Sequence, residues 1–198
     1  MTTTILLSGG MDSAAIACWR RPEYAFTVDY GQLAAAGEIR AASAVAAALS
    51  LKHYVIRADL RELGSGDMAG VGRLSMAPVS EWWPFRNQML VTLSAMQGIA
   101  LGVDRLLIGC LATDSQHADG RRAFVEQMDS LLLGQEGAIR LEAPAIELTA
   151  EELVRVSGVP IEILSWSHSC HVAEYACGMC RGCRKHYETM AALGATPY

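Results

Sequence analysis

The 198-residue sequence predicts an α/β fold, with a parallel sheet of about five strands and helices on both faces. Two observations support this fold class. Short apolar stretches alternate with longer helical patterns, and the order strand–helix–strand–helix–strand favours parallel strands joined by right-handed crossovers. The first strand also passes into a helix through two adjacent glycines, Gly9 and Gly10. Such sheets bind ligands beyond the carboxyl ends of their strands, so we expect the functional site there.

Each predicted strand is a short apolar run that ends near glycine, proline or a polar residue. The first leads into the two glycines, and the second and third flank an alanine-rich stretch that lacks proline and favours a helix. A further helical pattern separates the fourth strand from the fifth. We place the five strands at residues 4–7, 24–28, 53–56, 105–109 and 139–142.

The predicted helices fill the intervals between these strands and continue after the last one. The pattern at residues 86–101 has apolar residues on most faces, and we therefore expect this helix to be buried against the sheet. Thr149 and Glu152 form a capping box, which predicts a short helix that ends at Gly158. The remaining helices are expected at about residues 12–19, 34–49 and 121–133.

The long segment of residues 58–84 has no regular hydrophobic period and contains four glycines. We expect a loop with one short helical turn, and loops of this length in compact domains are commonly lids or binding loops. Trp82 and Trp83 near its end have two interpretations, because large aromatic side chains either cover a planar ligand or anchor a loop by packing. The sequence favours neither.

The turn after the first strand has the features of an anion-binding site. Its glycines allow a tight turn, and the following helix directs free N–H groups and the positive end of its dipole at a ligand. Ser8 and Ser13 add hydroxyl donors, whereas the carboxylate of Asp12 is expected to bind a metal ion or organise the backbone. The loop lacks a Gly-Lys-Ser/Thr ending and a G-x-G-x-x-G pattern, which excludes two common phosphate loops. An ordinary glycine-rich turn is the alternative.

Composition and charge narrow the class of function. The net charge is −5, with two lysines against fourteen arginines, so a broad electrostatic contact with DNA or RNA is not expected. No stretch reaches the ~18 uninterrupted apolar residues of a membrane span. No secretory leader is visible either. We therefore expect a cytoplasmic protein without a membrane partner.

Four of the six cysteines lie within fourteen residues, with the spacing C-x6-C-x2-C-x2-C. In a chain without a secretory signal this spacing indicates a metal site before a disulfide, and four thiolates suit a closed, structural zinc site. A redox pair needs only two cysteines, and an iron–sulfur cluster is a second alternative. Three nearby histidines are expected outside the ligand set. The expected zinc ligands are Cys170, Cys177, Cys180 and Cys183, in a segment at about residues 165–190.

Five motifs follow one another along the chain in a fixed order. They are Ser-Gly-Gly-Met-Asp-Ser, Val-Asp-Tyr-Gly-Gln, Pro-Phe-Arg-Asn, Ile-Gly-Cys-x-x-Thr-Asp and the cysteine spacing. Together they resemble the QueC family of ATP pyrophosphatases, the 7-cyano-7-deazaguanine synthases of queuosine biosynthesis, from Leu6 to about His186. The resemblance implies one Rossmann-like domain of the adenine nucleotide α-hydrolase type over residues 1–198. It also implies Zn²⁺ and Mg²⁺ as cofactors and ATP as co-substrate, and it suggests a homodimer, which the alanine-rich helices permit.

The resemblance further implies a ligase activity. Enzymes of this family adenylate a 7-carboxy-7-deazaguanine carboxylate with release of pyrophosphate. Ammonia then gives the amide, and a second adenylation with loss of water gives the nitrile. Protein groups in such a reaction mainly position the reactants and stabilise phosphate charge.

Residue roles follow from the matching motifs. The resemblance assigns ATP phosphates and Mg²⁺ to the glycine turn, and the nucleotide or substrate to the loop after the second strand. Asp114 could instead be a turn residue, and Asn87 a plain helix cap. The implied catalytic residues are Asp12, Arg86, Asn87 and Asp114, with Thr113 and Asp119 completing the rim. The implied nucleotide-binding residues are Ser8, Gly9, Gly10, Met11, Asp12, Ser13, Tyr30, Gly31 and Gln32.

The chain also departs from the family pattern on the substrate and phosphate side. Leu33 and Ala34 stand where an Arg-His pair is common, Ala150 stands where a Lys is usual, and residues 116–120 differ from the usual substrate segment. These departures favour a divergent ligase as the alternative. It would stop at the amide or couple the acyl group to another amine such as a protein, as in an antiphage system. A tRNA-thiolating enzyme, disfavoured by the acidic charge, and an inactive nucleotide-binding subunit are further alternatives.

Overall fold

The computed structural model describes residues 1–196, so the last two residues of the predicted 1–198 domain lie outside the described part. Its strands are β1 (Thr3–Leu6), β2 (Tyr24–Asp29), β3 (Lys52–Arg57), β4 (Arg105–Leu107) and β5 (Arg140–Glu142). All neighbouring strands pair in parallel, in the order β3-β2-β1-β4-β5. The predicted α/β fold with a Rossmann-like parallel sheet is confirmed.

Seven α-helices accompany the sheet in the part of the chain that the structure describes. Thr149 Oγ1 accepts the Glu152 N–H and the Glu152 carboxylate accepts the Thr149 N–H, so the predicted capping box is present. Two of the helices were not predicted, because one is a single turn and the other begins inside the cysteine cluster. The helices are α1 (Met11–Arg20), α2 (Ala35–Ala48), α3 (Arg86–Ile99), α4 (Arg122–Leu133), α5 (Ala150–Ser157), α6 (Ile161–Leu164) and α7 (Arg181–Ala192).

Helices cover both faces of the sheet because successive strand residues point to opposite sides. Ile5 and Leu7 pack in the core layer formed with α1, α2 and α5, and Leu6 packs in the layer formed with α3 and α4. Helix α3 buries only one face against the sheet. Met96 and Ile99 on its outer face are 66% and 54% exposed, whereas Val91 and Ala95 on the inner face pack in the core, so the expected burial against the sheet is confirmed for this one face.

The long segment after β3 is irregular apart from a 3₁₀ turn at Arg61–Leu63. Trp83 near its end is buried and packs edge-on against Tyr30, with ring centroids 4.9 Å apart. Of the two interpretations, this contact supports a packing anchor that fixes the segment to the end of β2.

Strand order reverses at β1, which pairs with β2 on one side and with β4 on the other. Crevices at such a switch point are the usual ligand sites of open α/β sheets. Among the described residues, no helix has the length and apolar character needed to cross a membrane.

Candidate active site

A cavity of about 300 Å³ opens beyond the carboxyl ends of β1, β2 and β4, at this switch point. The volume suits a small molecule, since ligand pockets begin at about 300 Å³. Of the residues predicted for nucleotide binding or catalysis, Gly9, Gly31 and Gln32 lie behind the wall. The others line it: Ser8, Gly10, Met11, Asp12, Ser13, Tyr30, Arg86, Asn87 and Asp114.

The turn between β1 and α1 requires glycine at its centre. Gly9 has φ +78°, and a Cβ atom there would lie 2.5 Å from the carbonyl oxygen of Glu38. Ser8 Oγ accepts the Gly10 N–H at 3.3 Å and lies 3.2 Å from Ser13 Oγ. No side chain in the described part of the chain caps the N-terminus of α1. The N–H groups of this first turn are therefore available to an anion.

A lysine that is 173 positions away in the sequence lies against this turn. Lys185 Nζ donates to Asp12 Oδ2 at 2.8 Å, and both side chains line the cavity. Burial raises the pKa of Asp12, and the ammonium of Lys185 opposes that shift. Arg181, one turn earlier in α7, lines the cavity as well and donates to Glu81 Oε1 at 2.8 Å. Two cations of one helix thus lie on the same wall.

On the side of β2, Gln32 braces the cavity wall from behind. Its Oε1 accepts the Tyr30 N–H at 2.9 Å, and its Nε2 donates to Glu38 Oε2 at 2.7 Å. Glu38 lines the cavity, and burial raises its pKa to about 7 against the opposing effects of Gln32 and Arg86. Gly31 has φ +93°, so its requirement is conformational. Only Tyr30 of the three residues predicted here faces the cavity.

Arg86, at the start of α3, is a half-buried cation in the opposite wall. Burial alone would lower its pKa, but acidic neighbours outweigh burial and the pKa is raised. Its Nη1 lies 2.9 Å from the sulfur of Met68, which is a weak acceptor, so the guanidinium keeps donors for a ligand. The acidic neighbours are Tyr30, Asp119, Glu38 and Asp114.

The loop after β4 places its two predicted aspartates differently. Asp114 lines the cavity, and its Oδ2 also accepts the Leu111 N–H at 2.9 Å, so this residue closes a turn as well. Asp119 lies behind the wall, where it binds Asn87 at the first turn of α3. Thr113 is also outside the wall. Of the two aspartates, only Asp114 can contact a ligand directly.

The four clustered cysteines converge on one point. Their sulfur atoms all lie within 4.8 Å of one another, and the pairs Cys177–Cys183 and Cys170–Cys180 are 3.9 Å apart. Thiolates that share a tetrahedral zinc ion through bonds of about 2.3 Å lie about 3.8 Å apart. The residues therefore fit a single zinc ion, whereas an iron–sulfur cluster spreads its thiolates over several irons. The predicted metal-binding cluster is present and can hold zinc.

Backbone groups support this cluster and connect it to the cavity. The N–H groups of Met179 and Cys180 point at Cys177 Sγ and lower the pKa of that thiol to about 6. Such bonds favour the thiolate, which is the form that binds metal. His168, just before the cluster, donates its N–H to the Gly9 carbonyl oxygen at 2.8 Å. The cysteine segment is thus attached directly to the glycine turn.

Comparison with known proteins identifies the family. The family model described as queuosine biosynthesis protein QueC matches residues 2–194. This chain belongs to the QueC family. Similar proteins named 7-cyano-7-deazaguanine synthase occur in Acidobacterium capsulatum, at 33% identity with 98% of this chain and 95% of the relative covered, and in Nitratiruptor sp., at 31% identity with 100% and 99% covered.

A solved structure is a more distant match. NMN synthetase from Francisella tularensis gives a TM-score of 0.45 at 16% identity, covering 100% of this chain and 79% of that one. This similarity is too low to bear on the fold or the function of the chain.

The motifs identified several polar residues of the cavity wall in this QueC-family chain but missed four charged ones, Glu38, Glu81, Arg181 and Lys185. Glu81 lies in the irregular segment after β3. Glu38 lies within a helix whose alanines dominate its pattern. Arg181 and Lys185 belong to α7, which was not predicted. One signal was present in the sequence, because Lys185 is one of two lysines and follows Cys183 by two positions.

Three positions that the resemblance marks as departures, Leu33, Ala34 and Ala150, lie outside the cavity wall, whereas His117 and Gly120 of the departing segment 116–120 line it. Leu33 is 47% exposed, whereas Ala34 and Ala150 are fully or almost fully buried. Ala150 packs into the core layer shared with α1. Leu33, Ala34 and Ala150 carry no positive charge, so the cationic side chains that line the cavity belong to other parts of the fold.

Proposed function

We propose that this protein adenylates the carboxylate of 7-carboxy-7-deazaguanine with ATP. Ammonia then converts the product to the amide and, after a second adenylation, to the nitrile 7-cyano-7-deazaguanine. The observation that carries the proposal is the uncapped N-terminus of α1 at the glycine turn, in the same cavity as Asp12 and Arg86. Relatives of matching length, named for the nitrile product, support this choice of substrate.

In the first step a carboxylate oxygen attacks the α-phosphorus of ATP. The bond from that phosphorus to the oxygen bridging to the β-phosphate breaks, and pyrophosphate leaves with the electron pair. The first N–H groups of α1 and the hydroxyls of Ser8 and Ser13 hold phosphate oxygens, and Arg86 stabilises the negative charge that develops. The acyl group then has AMP as a good leaving group.

The nitrogen steps follow in the same cavity. Ammonia attacks the acyl carbon and AMP leaves, which gives the amide. The amide oxygen takes a second AMP group from ATP, and loss of that AMP together with the two N–H protons leaves the nitrile. Glu38 lines the cavity with a pKa of about 7, a value suited to accepting such protons near neutral pH.

Two metal ions belong to the proposal. Asp12 and Asp114 would hold Mg²⁺, which neutralises part of the phosphate charge when bound. Both carboxylates line the cavity, and the charge of Asp114 contributes to the raised pKa of Asp12. The zinc ion of the cysteine cluster would have four protein ligands and no open position, so its role is structural.

Isotope labelling tests the reaction. The purified protein is incubated with 7-carboxy-7-deazaguanine labelled with ¹⁸O in the carboxylate, ATP, Mg²⁺ and ¹⁵N-ammonia, and the products are analysed by mass spectrometry. We expect one ¹⁸O in the first AMP released and ¹⁵N in a nitrile product. Unlabelled AMP, or release of ADP in place of pyrophosphate, would exclude carboxylate adenylation.

The divergent ligase is the second candidate, and the departures at Leu33, Ala34 and Ala150 favour it. An amide that accumulates without nitrile, or transfer of the label to a protein amine, would support it. The relatives give no support to an antiphage role. We further propose that residues 1–198 act as one domain in the cytoplasm, where ATP and reduced thiols occur together. A homodimer also stays a prediction, to be tested by analytical ultracentrifugation.

A further inference from the structure

Helix α7 starts inside the cysteine cluster. Cys180 is its N-cap and accepts the N–H of Cys183, so two of the four thiols lie in or next to its first turn. A metal ion that draws the four sulfurs together therefore fixes the position and direction of the beginning of α7. The same constraint acts on any side chain within the next turn.

Arg181 and Lys185 are four residues apart and lie on one face of α7, which faces the cavity. Arg181 is committed to Glu81, a nearly buried carboxylate at 2.8 Å. Lys185 is 40% exposed and contacts Asp12, the second residue of α1, at 2.8 Å. Its ammonium has three N–H donors, and the bond to Asp12 uses one of them.

The ammonium of Lys185 therefore lies beside the uncapped first turn of α1. That turn supplies N–H donors, and the Ser8 and Ser13 hydroxyls lie next to it. An anion held by these groups would be within reach of Lys185, whose long flexible stem lets the charge move from Asp12 to the anion. A cation bound by Asp12 would replace this ion pair and allow Lys185 to turn toward the ligand.

We propose that Lys185 binds the phosphate groups of ATP and that the metal of the cysteine cluster positions it through α7. This inference rests on the proposed function, because it takes ATP to be the ligand of the cavity. The zinc site would then have an effect on ligand binding besides its structural role, because metal occupancy would determine the affinity for nucleotide phosphates. It also supplies a cation that Ala150, buried in the core, does not.

Calorimetric titration with ATP and with adenosine, in the absence of substrate, tests the phosphate contact. Lys185→Met should weaken ATP binding about 10- to 100-fold, as expected for loss of a hydrogen bond to a charged group. Adenosine binding should change less than about threefold, and Lys185→Arg should recover part of the ATP affinity. Lys52→Met is the matched control, because Lys52 is the other lysine and is exposed at the sheet edge.

The outcomes separate the two proposals. If the wild-type protein does not bind ATP, the proposed function fails and this inference fails with it. If the wild-type protein binds ATP and Lys185→Met binds it equally well, only the inference is overturned. An equal loss of ATP and adenosine affinity would show that the Lys185–Asp12 pair is merely structural, and it would also overturn the inference.

The positioning role of the metal needs a second measurement. Zinc is removed with a chelator, and ATP affinity and hydrogen exchange of α7 are measured with and without zinc. We expect zinc-free wild type to lose ATP affinity as Lys185→Met does, and zinc removal to add little to the loss in Lys185→Met. Unchanged ATP affinity in the zinc-free protein would overturn the positioning role. The positioning role would also be overturned if zinc removal lowered the ATP affinity of Lys185→Met as much as it lowers that of wild type.

Discussion

Asp119 binds Asn87 twice, although the two residues are 32 positions apart. Its Oδ2 accepts the Asn87 backbone N–H at 3.2 Å, and its carbonyl oxygen accepts Asn87 Nδ2 at 2.9 Å. Phe85, the residue before α3, makes no side-chain cap. The first turn of α3 is therefore capped by Asp119 from the loop after β4. The alternative interpretation of Asn87 as the helix cap was wrong. This contact also fixes Arg86, the neighbour of Asn87.

Asp119→Ala should lower the free energy of unfolding by about 1–2 kcal/mol, the usual effect of losing a helix cap. Activity should fall as well, because Arg86 loses its fixed position. Urea denaturation followed by circular dichroism gives the first quantity, and pyrophosphate release gives the second. Glu136→Ala, at an exposed position, is the control and should change neither. Full stability with lost activity would instead indicate that Asp119 contacts the substrate.

Gly9→Ala should disrupt the glycine turn. The residue has φ +78°, and its new Cβ would lie 2.5 Å from the carbonyl oxygen of Glu38. Such strain corresponds to about 2–3 kcal/mol of destabilisation. We also expect at least tenfold weaker ATP binding in titration calorimetry.

Gly72→Ala is the matched control for this prediction, since no atom lies within 4 Å of the added Cβ and the backbone angle is ordinary. Equal behaviour of the two variants would contradict a special requirement for glycine at position 9.

Glu38 should make stability depend on pH. Its pKa is raised from 4.5 to about 7 in the folded protein, mainly by burial, so the folded state holds this proton more tightly than the unfolded chain. The contribution of the protonated Glu38 to the free energy of unfolding is complete below pH 4.5 and is lost as pH rises through about 7. It amounts to at most about 3 kcal/mol.

Glu38→Gln keeps a neutral side chain at every pH and should remove this part of the pH dependence. The test compares urea denaturation at pH 5 and pH 8 for wild type and variant. Glu62→Gln, an exposed glutamate, should behave as wild type does. Identical pH profiles of wild type and Glu38→Gln would show that Glu38 titrates normally.

The cysteine cluster should hold one zinc ion per chain, measured by native mass spectrometry. Cys183→Ser should lose most of the zinc and lower the midpoint of thermal unfolding by about 5–10 °C, because metal binding is coupled to folding of α7. Cys18→Ala, which lies outside the cluster, should keep the zinc. Iron bound in place of zinc, or full occupancy in Cys183→Ser, would contradict the four-thiolate zinc site.

Local chemistry explains which features could be predicted from the sequence. The sheet follows from short apolar runs, and the glycine turn and the C-x-x-C steps involve neighbouring residues only. Which side chain faces the cavity is a different matter. Tyr30 and Gln32 were both predicted to bind the nucleotide, yet the Gln32 side chain points away from the cavity and binds the Tyr30 backbone. Side chains alternate between the two faces only within a strand, so the sequence does not dictate where a side chain points after the strand has ended.

The features that the sequence did not predict depend on contacts between residues far apart in the chain. The Lys185–Asp12 pair joins residues 173 positions apart, and nothing local connects them. Helix α7 has a polar composition with cysteine and glycine in its first turn, so its helical character depends on the cluster. Glu38 likewise has a raised pKa only because of the residues that pack around it in the fold.

The His168–Gly9 hydrogen bond and the Lys185–Asp12 pair have a consequence for synthesis on the ribosome. The glycine turn emerges well before the segment that completes its cavity wall, because that segment is translated more than 150 residues later. Domains tend to fold as their chain becomes available. A nascent chain therefore carries an incomplete nucleotide site until the cysteine segment has been released, and it should consume no ATP before then.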